Sequence, residues 1–512
     1  MNTFFNVLFF IKGDNISSYG HELNFIVNKK DMPKVKIINF FNQFFDRSLL
    51  VLILYLIIHF LIRIYTSDTF QVDDADEIIY GQKISLGYQL TQPPLYTWLS
   101  WIFFQIFGAN LFSISLLKYL LIALTFLLIW ENIKLLITDR SIRKIAFFSF
   151  LLMPAFAWHM HQGFTHTILL AFSIMMTLNA SINLIRLNSV YIYIYLGLSI
   201  SIGILSKYSF ILFLIPLTLS ALSIQEYREK ILCRKFLITL AVIFLILLPH
   251  FLWILERIDY ASAAIDSKLK ISSDLPFGTH FDSFFALYLN LFTFISPFIF
   301  FIIYIFAKKP FLMFNYPESA PQLLLRNFYI WVLILSFVLF FYQIPHIKLR
   351  WLHPIMMAFP IFISIFLDKE NQITKKTMDS YMISVIFISI LIISIRLFSS
   401  SYGPKYGING RINIPIFQTL NQIEVISEKS ELKTYDKFLG SHLLAYFPEN
   451  SIIINNLKFE KSNGSSCVEI WDDDDKRFLP KDDEELNKIE TKIYAFSYNI
   501  FYKVRNTSCH QD

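Results

Sequence analysis

The sequence predicts a polytopic α-helical membrane protein with a small soluble α/β domain at its C-terminal end. Three observations carry that prediction. The 512 residues are 55% hydrophobic, with a mean hydropathy of +0.51. Only 16% are charged, against about 25% in soluble domains. The apolar residues gather in runs near the length of about 20 that crosses a bilayer core, until the composition changes near residue 398. The net charge of +6 does not point to nucleic acid. The basic residues sit mainly in short loops between apolar runs, where they orient helices in a bilayer. Three cysteines form no CxxC pair or Cys/His cluster.

Residues 1–47 carry Lys12, Lys29, Lys30, Lys34, Lys36 and Arg47, which predict a cytoplasmic arm. They lack the pattern of a removable signal peptide. The first span is predicted at 48–65. An acidic loop, 66–94, follows and holds Lys83 as its only basic residue. It places Asp73, Asp74, Asp76 and Glu77 within five positions, with Asp73 and Asp74 expected as helix caps. Gln92-Pro93-Pro94 then makes a stiff turn, because two prolines fix φ and remove two donors. Segment 95–107 is too short to span; its Trp98 and Trp101 predict a juxtamembrane helix on the outer surface.

Further spans are predicted at 111–130, 145–158, 166–186, 190–206, 208–224, 235–255, 283–306, 327–344, 351–367 and 378–397, about eleven in all. Loop charges fit a cytoplasmic N-terminus, which puts the acidic loop and the C-terminus outside. Few charges are expected inside the spans. That disfavours a transporter or flippase of lipid-linked saccharides, the rival reading, which would carry ionisable groups near the midplane. The domains are therefore an arm (1–47), a membrane domain (48–397) and an extracytoplasmic domain (398–512). In the last, β-like runs alternate with polar stretches such as Asp472–Asp475, read as a solvated loop. Cys467 and Cys509 share that compartment and either pair or remain two thiols.

The candidate site residues collect at the predicted outer ends of spans. Asp76 and Glu77 suit general-base work on an acceptor hydroxyl, or stabilisation of positive charge at a sugar C1. Gln92 and Tyr96 flank the proline turn as a wall. His159 and His161 fit contacts to a phosphate or sugar, with a divalent metal as the other option. Lys207, beside Tyr208, sits between two spans with almost no loop around it, as a snorkelling lysine or a phosphate-binding one. His346, Lys348 and Arg350 cluster on the outer side against the charge bias, where a guanidinium suits a phosphate. Arg257 is a weaker candidate.

These motifs together resemble the bacterial membrane glycosyltransferases of the dolichyl-phosphate-mannose protein mannosyltransferase type. Among them the chain is most similar to the aminoarabinose and galacturonic acid transferases of lipid A and core. The matching pieces are Asp76-Glu77 with Tyr80, Gln92-Pro93-Pro94-Leu95 leading to Phe107-Gly108, Gly203 to Tyr208, Pro249 to Trp253, and Trp351 with Pro354. The resemblance covers about residues 48–370. It implies a GT-C fold and a sugar donor on a polyprenyl phosphate. It implies a lipid A, surface-glycan or similar acceptor, or, in some members, a protein. It also implies inversion at C1 and a periplasm-facing site in the bacterial inner membrane. The catalytic role falls on Asp76, with Glu77 beside it, and Lys207 lies near the carrier phosphate. The family often has a lysine where this chain has Gln92, so that basic duty shifts to Lys207 or Arg350.

Overall fold

The computed structural model describes residues 47–260 except 188, 278–306, 318–341, 352–370, 373–427 except 409, 430–461 except 456, 466–472, 486–493, 496–507 and 509. Six helices among these are long and apolar enough to cross a membrane, or eight if two bent pairs each count as one. Four define the scaffold of the site: α1 (Arg47–Tyr65), α4 (Leu111–Leu136), α5 (Thr165–Arg186) and α9 (Lys375–Ser401). Between the first two lie the short helices α2 (Val72–Tyr80) and α3 (Leu95–Phe107). After α5 come α6 (Val190–Ser206), α7 (Phe236–Leu255) and α8 (Ser319–Phe341).

Burial sorts the helices as a bilayer would. α5 is almost wholly buried, whereas α7 and α9 expose most of their apolar surface. Phe244, Leu245, Ile383 and Phe387 are each more than 60% exposed; in water such faces would aggregate, and lipid covers them. α5 can carry polar residues because several of them find partners inside the bundle. Asn179 donates to Asn132 Oδ1 at 2.9 Å, and Asn132 donates to the Met175 carbonyl at 3.0 Å. Small residues let helices approach: a Cβ on Gly197 of α6 would lie 2.9 Å from the Thr239 carbonyl oxygen of α7.

Several expected spans differ. The segment predicted at 145–158 is broken at Met153 and bent by 64°, since Pro154 cannot donate into the preceding turn. The one predicted at 283–306 divides into Gly278–Ile295 and Phe298–Phe306 around Pro297, and the one at 351–367 into His353–Met356 and Phe359–Glu370 around the turn before Pro360. α4 runs six residues beyond its predicted end.

The C-terminal region forms the expected α/β unit. Its strands are β1 (Ser430–Thr434), β2 (Ser451–Ile454), β3 (Leu457–Phe459), β4 (Ser466–Asp472), β5 (Asn487–Ile493) and β6 (Phe496–Arg505). They make one sheet in the order β3-β2-β1-β4-β6-β5. β1 is parallel to β2 and β4, and the other pairings are antiparallel. Helix α10 (Lys437–Tyr446), capped by the Asp436 side chain, crosses from β1 to β2. It packs so closely that a Cβ on Gly440 would lie 2.6 Å from the Ile454 side chain. Cys467 and Cys509 are disulfide-bonded. Asp472 is no solvated loop residue: it ends β4 buried and accepts a bond from the Tyr498 hydroxyl at 3.2 Å; Asp473 to Asp475 lie outside the described residues.

The acidic helix belongs to this unit's core. Ala75, Ile78 and Ile79, spaced to share one helical face, pack with Leu439 and Leu443 of α10 and with Leu432, Ile452 and Val468 of the sheet. The strap before α2 is tied to the same unit. The Tyr446 hydroxyl donates to the Asp68 carbonyl at 2.6 Å, and the Phe70 N–H donates to His442 Nε2 at 3.0 Å. Burial pushes the His442 imidazole down to about 3, so it stays neutral and able to accept.

Candidate active site

Helix α2 ends at Tyr80, where the apolar run stops and Gly81 follows. With its apolar face spent on the C-terminal core, its other side chains meet the membrane helices. The four carboxylates then take different roles. Asp74 does not cap the helix. It is 1% exposed and accepts from Lys118 Nζ of α4 at 2.7 Å, with an Arg63 nitrogen at 3.7 Å. Glu77 is 2% exposed, and its Oε1 lies 2.9 Å from His166 Nε2 while Ser100 Oγ lies 3.4 Å from Oε2. His166 Nδ1 meets the Ser206 carbonyl at 3.2 Å, and that oxygen can only accept. His166 thus bridges Glu77 to the Ser206 carbonyl.

Asp76 is half-buried. Burial raises its carboxyl above the ordinary value, while nearby Lys437 and a hydrogen bond with Gln89 pull the other way. Lys437, the first residue of α10, donates to the Tyr80 hydroxyl at 2.7 Å and sits over that ring. The soluble unit thus sends a cation directly to the acidic helix.

A small pocket of about 200 Å³ opens here, lined by Glu77, Tyr80, Tyr88, Gln89, Gln92, Pro93, Thr97 and His166. Glu77 is among its lining residues, and Asp76 is not. The proline turn is its wall, as expected, closed by a β-bridge between Gln89 and Gln92. The side-chain oxygen of Gln92 is buried without a hydrogen-bond partner. An unmet acceptor costs about 1–3 kcal/mol, which a ligand hydroxyl would recover. Tyr96 is fully buried, its hydroxyl likewise unmet, and burial followed by Asp74, Glu77 and Asp73 holds it far above the usual phenol range. The loop over the pocket is pinned: Trp98 Nε1 donates to the Ser85 carbonyl at 2.6 Å, and Gly87 lies so near Trp253 that a Cβ would come within 2.4 Å of its ring.

The remaining expected residues divide into groups. Lys207 is half-buried and donates to Thr167 Oγ1 at 2.7 Å, next to the start of α5 that carries His166. Tyr208 bonds His250 Nε2 at 3.0 Å, and His250 Nδ1 donates to the Leu86 carbonyl at 2.7 Å, tying α7 to the acidic loop. Arg257 pairs with Glu256 and stacks on Trp253, away from the pocket's lining. His159 packs against Phe164, and His161 is buried against His59 and Tyr119. The histidines of this stretch therefore face different neighbours, and among the described residues no group of three or more metal-ligating side chains forms. His346, Lys348 and Arg350, with Trp351, lie outside the described residues.

The sequence reading missed His59, Arg63, Lys118 and Arg396; His59 and Lys118 lie within their helices, whereas Arg63 and Arg396 sit near helix ends. The signal was present. Each is a polar or charged residue inside an apolar run, and such residues mark interior networks. Lys437 gave no signal, because nothing in the sequence ties it to Tyr80.

The fold is shared with solved membrane enzymes. ArnT from Cupriavidus metallidurans bound to undecaprenyl phosphate superposes with a TM-score of 0.61, at 11% identity, over 88% of this chain and 97% of that one. The same protein in the apo state gives 0.55 at 12% identity. The model of the dolichyl-phosphate-mannose-protein mannosyltransferase family matches residues 91–253, which include the proline turn, His166, Lys207 and His250. The lipopolysaccharide core galacturonosyltransferase RgtB of Rhizobium johnstonii is 26% identical over 398 residues, 77% of this chain and 80% of that protein. The chain is a membrane glycosyltransferase. Lipopolysaccharide core galacturonosyltransferase RgtA of the same organism matches this glycosyltransferase more narrowly, at 22% identity over 225 residues, 44% of the chain. The candidate site of the glycosyltransferase lies where its membrane helices and its C-terminal unit share the helix α2.

Proposed function

We propose that the enzyme moves a sugar from a polyprenyl-phosphate carrier to a lipopolysaccharide core or lipid A acceptor at the outer face of the bacterial inner membrane, with inversion at C1. The observation that carries this reading is the pocket beside α2. It joins a buried carboxylate, Glu77, to a half-buried one, Asp76, under a rigid proline turn. The relatives that act on lipopolysaccharide core support the acceptor class, and the undecaprenyl phosphate bound by ArnT supports the carrier. The Cys467–Cys509 disulfide supports an oxidising compartment for the C-terminal unit, and so a periplasmic site.

In this mechanism the acceptor oxygen attacks C1 as the C1–O bond to the carrier phosphate breaks. The polyprenyl phosphate leaves as an anion, so no general acid is required. Asp76 takes the acceptor proton. Glu77, held by His166 and Ser100, faces the positive charge that develops on the sugar ring. The buried Gln92 oxygen accepts from a sugar hydroxyl. Lys207, near the start of α5, stands toward the carrier phosphate.

The test is transfer in membranes or nanodiscs supplied with polyprenyl-phosphate sugar and rough-core lipopolysaccharide. Asp76→Asn and Glu77→Gln should each lower kcat by about 100-fold or more, as loss of a general base or a charge stabiliser does. Full activity in Asp76→Asn would exclude it as the base; full activity in both would move the site elsewhere.

A further inference from the structure

A second cleft opens at the other end of α2, and the mechanism above leaves it unused. It contains about 430 Å³ of unfilled space, bordered by Arg63, Gln71, Trp158, Gln162, Arg396 and Ser400 among others. Two guanidiniums meet at this cleft from the ends of two apolar helices, α1 and α9. Arg63 is 5% exposed. It donates to the Thr69 carbonyl at 2.7 Å and the Ser67 carbonyl at 3.3 Å, yet its Nε has no partner. Arg396 contacts His59 Nδ1, the Tyr119 hydroxyl at 3.4 Å and the His161 carbonyl at 3.3 Å. All three are neutral acceptors, and among the described residues no carboxylate lies within ion-pair distance of Arg396.

The partners of each charge, rather than their number, indicate what the cleft can hold. The cations here are Arg63, Lys118 and Arg396. Asp74 is shared between Arg63 and Lys118. Asp73, at the start of α2, adds its field to Lys118, and Asp68, next to the lining residue Ser67, acts with Arg63 on Tyr446. Among the described residues Arg396, near the end of α9, meets only neutral acceptors, and an anion would complete its charge-assisted hydrogen bonds. A guanidinium with free N–H edges beside a second one fits a phosphate or carboxylate in the fork geometry these groups share.

We propose that this cleft is an acceptor subsite that holds a phosphate or carboxylate carried by the glycan or lipid acceptor. Gln71 precedes Glu77 by six residues on one helix, so the two pockets are separated by about 9 Å along its axis. A short glycan spans that distance. The enzyme thereby reads an anionic landmark on the acceptor and places a nearby hydroxyl at Asp76 and Glu77. The proposal rests on the transferase reading given above.

The experiment compares Arg396→Gln, Arg396→Lys and Ser400→Leu with wild type in nanodiscs of zwitterionic lipid. The probes are lipid A with its phosphates and the same lipid A after phosphatase treatment. Arg396→Gln should raise KM for the phosphorylated acceptor about tenfold or more, the effect of one lost charge-assisted hydrogen bond. It should leave the donor KM unchanged and erase the preference for phosphorylated acceptor. Arg396→Lys should keep most of that preference, and Ser400→Leu should reduce it by filling the cleft without removing a charge. A raised donor KM assigns the cleft to the carrier phosphate and overturns the proposal. Equal loss with both acceptors makes the arginine structural and overturns it as well. A wild-type preference that vanishes when anionic phospholipid is added identifies the occupant as a bilayer headgroup, again against the proposal. If no variant or wild type shows transfer, the transferase reading fails on its own. Direct binding of the two lipid A forms to the discs still decides the subsite: about tenfold weaker binding of phosphorylated lipid A by Arg396→Gln sustains it, and equal binding removes it.

Discussion

Replacing Lys118 by Met isolates the interaction that seats the acidic helix on the membrane bundle. The Lys118 and Asp74 side chains are 2% and 1% exposed and meet at 2.7 Å. Methionine keeps the length and the apolar stem but removes the ammonium. Asp74 would then face only Arg63, whose nearest nitrogen is at 3.7 Å and whose better bonds go to backbone carbonyls. One Asp74 oxygen already lacks a hydrogen-bond partner. Breaking a buried pair from one side costs about 3–5 kcal/mol, because a charge is left without compensation. Lys118 also donates to the Gln162 carbonyl at 2.9 Å, so the loop that leads to His166 loosens at the same time. Thermal unfolding in detergent should show a lower midpoint for Lys118→Met, with transfer activity falling alongside. Asp74→Asn combined with Lys118→Met should recover most of the lost stability, since neither charge then remains. A cost under about 1 kcal/mol for the single variant, or a double variant as damaged as the sum of the two, would refute the reasoning.

Four further outcomes follow from the same coordinates. In the proposed mechanism Asp76 acts deprotonated, and the Lys437 charge lowers its carboxyl; Lys437→Met should therefore shift the acid limb of the pH–rate profile to higher pH, and an unmoved limb would separate Lys437 from catalysis. His442 is neutral in the fold with its imidazole near 3, whereas the unfolded chain takes up a proton below about 6.5; stability should thus decline as pH falls from about 6.5 toward 3, and His442→Gln should flatten that slope in denaturation series. Cys467 and Cys509 close a 42-residue separation, so their double serine variant should lose about 4 kcal/mol on the loop-entropy model, read as a lower unfolding midpoint of the C-terminal unit. His166→Ala should lower kcat while leaving the acceptor KM near wild type, because it withdraws the partner of Glu77 rather than a contact to the acceptor; a changed acceptor KM alone would argue against that role.

Much of the architecture was legible along the chain. Apolar run length located α1, α4, α5, α6, α7 and α9, and the drop in hydropathy near residue 398 located the α/β unit. The acidic stretch and the proline turn proved to be neighbours across one pocket, as their proximity in sequence suggested. The different burial of the four acids was not legible. Asp74 and Asp76 are two residues apart, and which one turns inward depends on the face of α2 that α10 covers. The three spans that broke were read as continuous because hydropathy averages over a proline or a tight turn.

By itself the sequence determined that this chain lives in a bilayer, that its carboxylates gather in one short segment, and that a separate sheet follows the last span. Those properties are local: they depend on composition over windows of about 20 residues and on residues close in the chain. Only the tertiary structure decided that Asp74 is locked to Lys118, that Glu77 is held by His166, that Lys437 reaches Tyr80 from 357 positions away, and that Arg63 and Arg396 share a cleft. Each of these joins charges from distant elements in a space that excludes water. The energy of such a pair depends on burial and on which partner arrives, and neither is written in the neighbourhood of the residue itself.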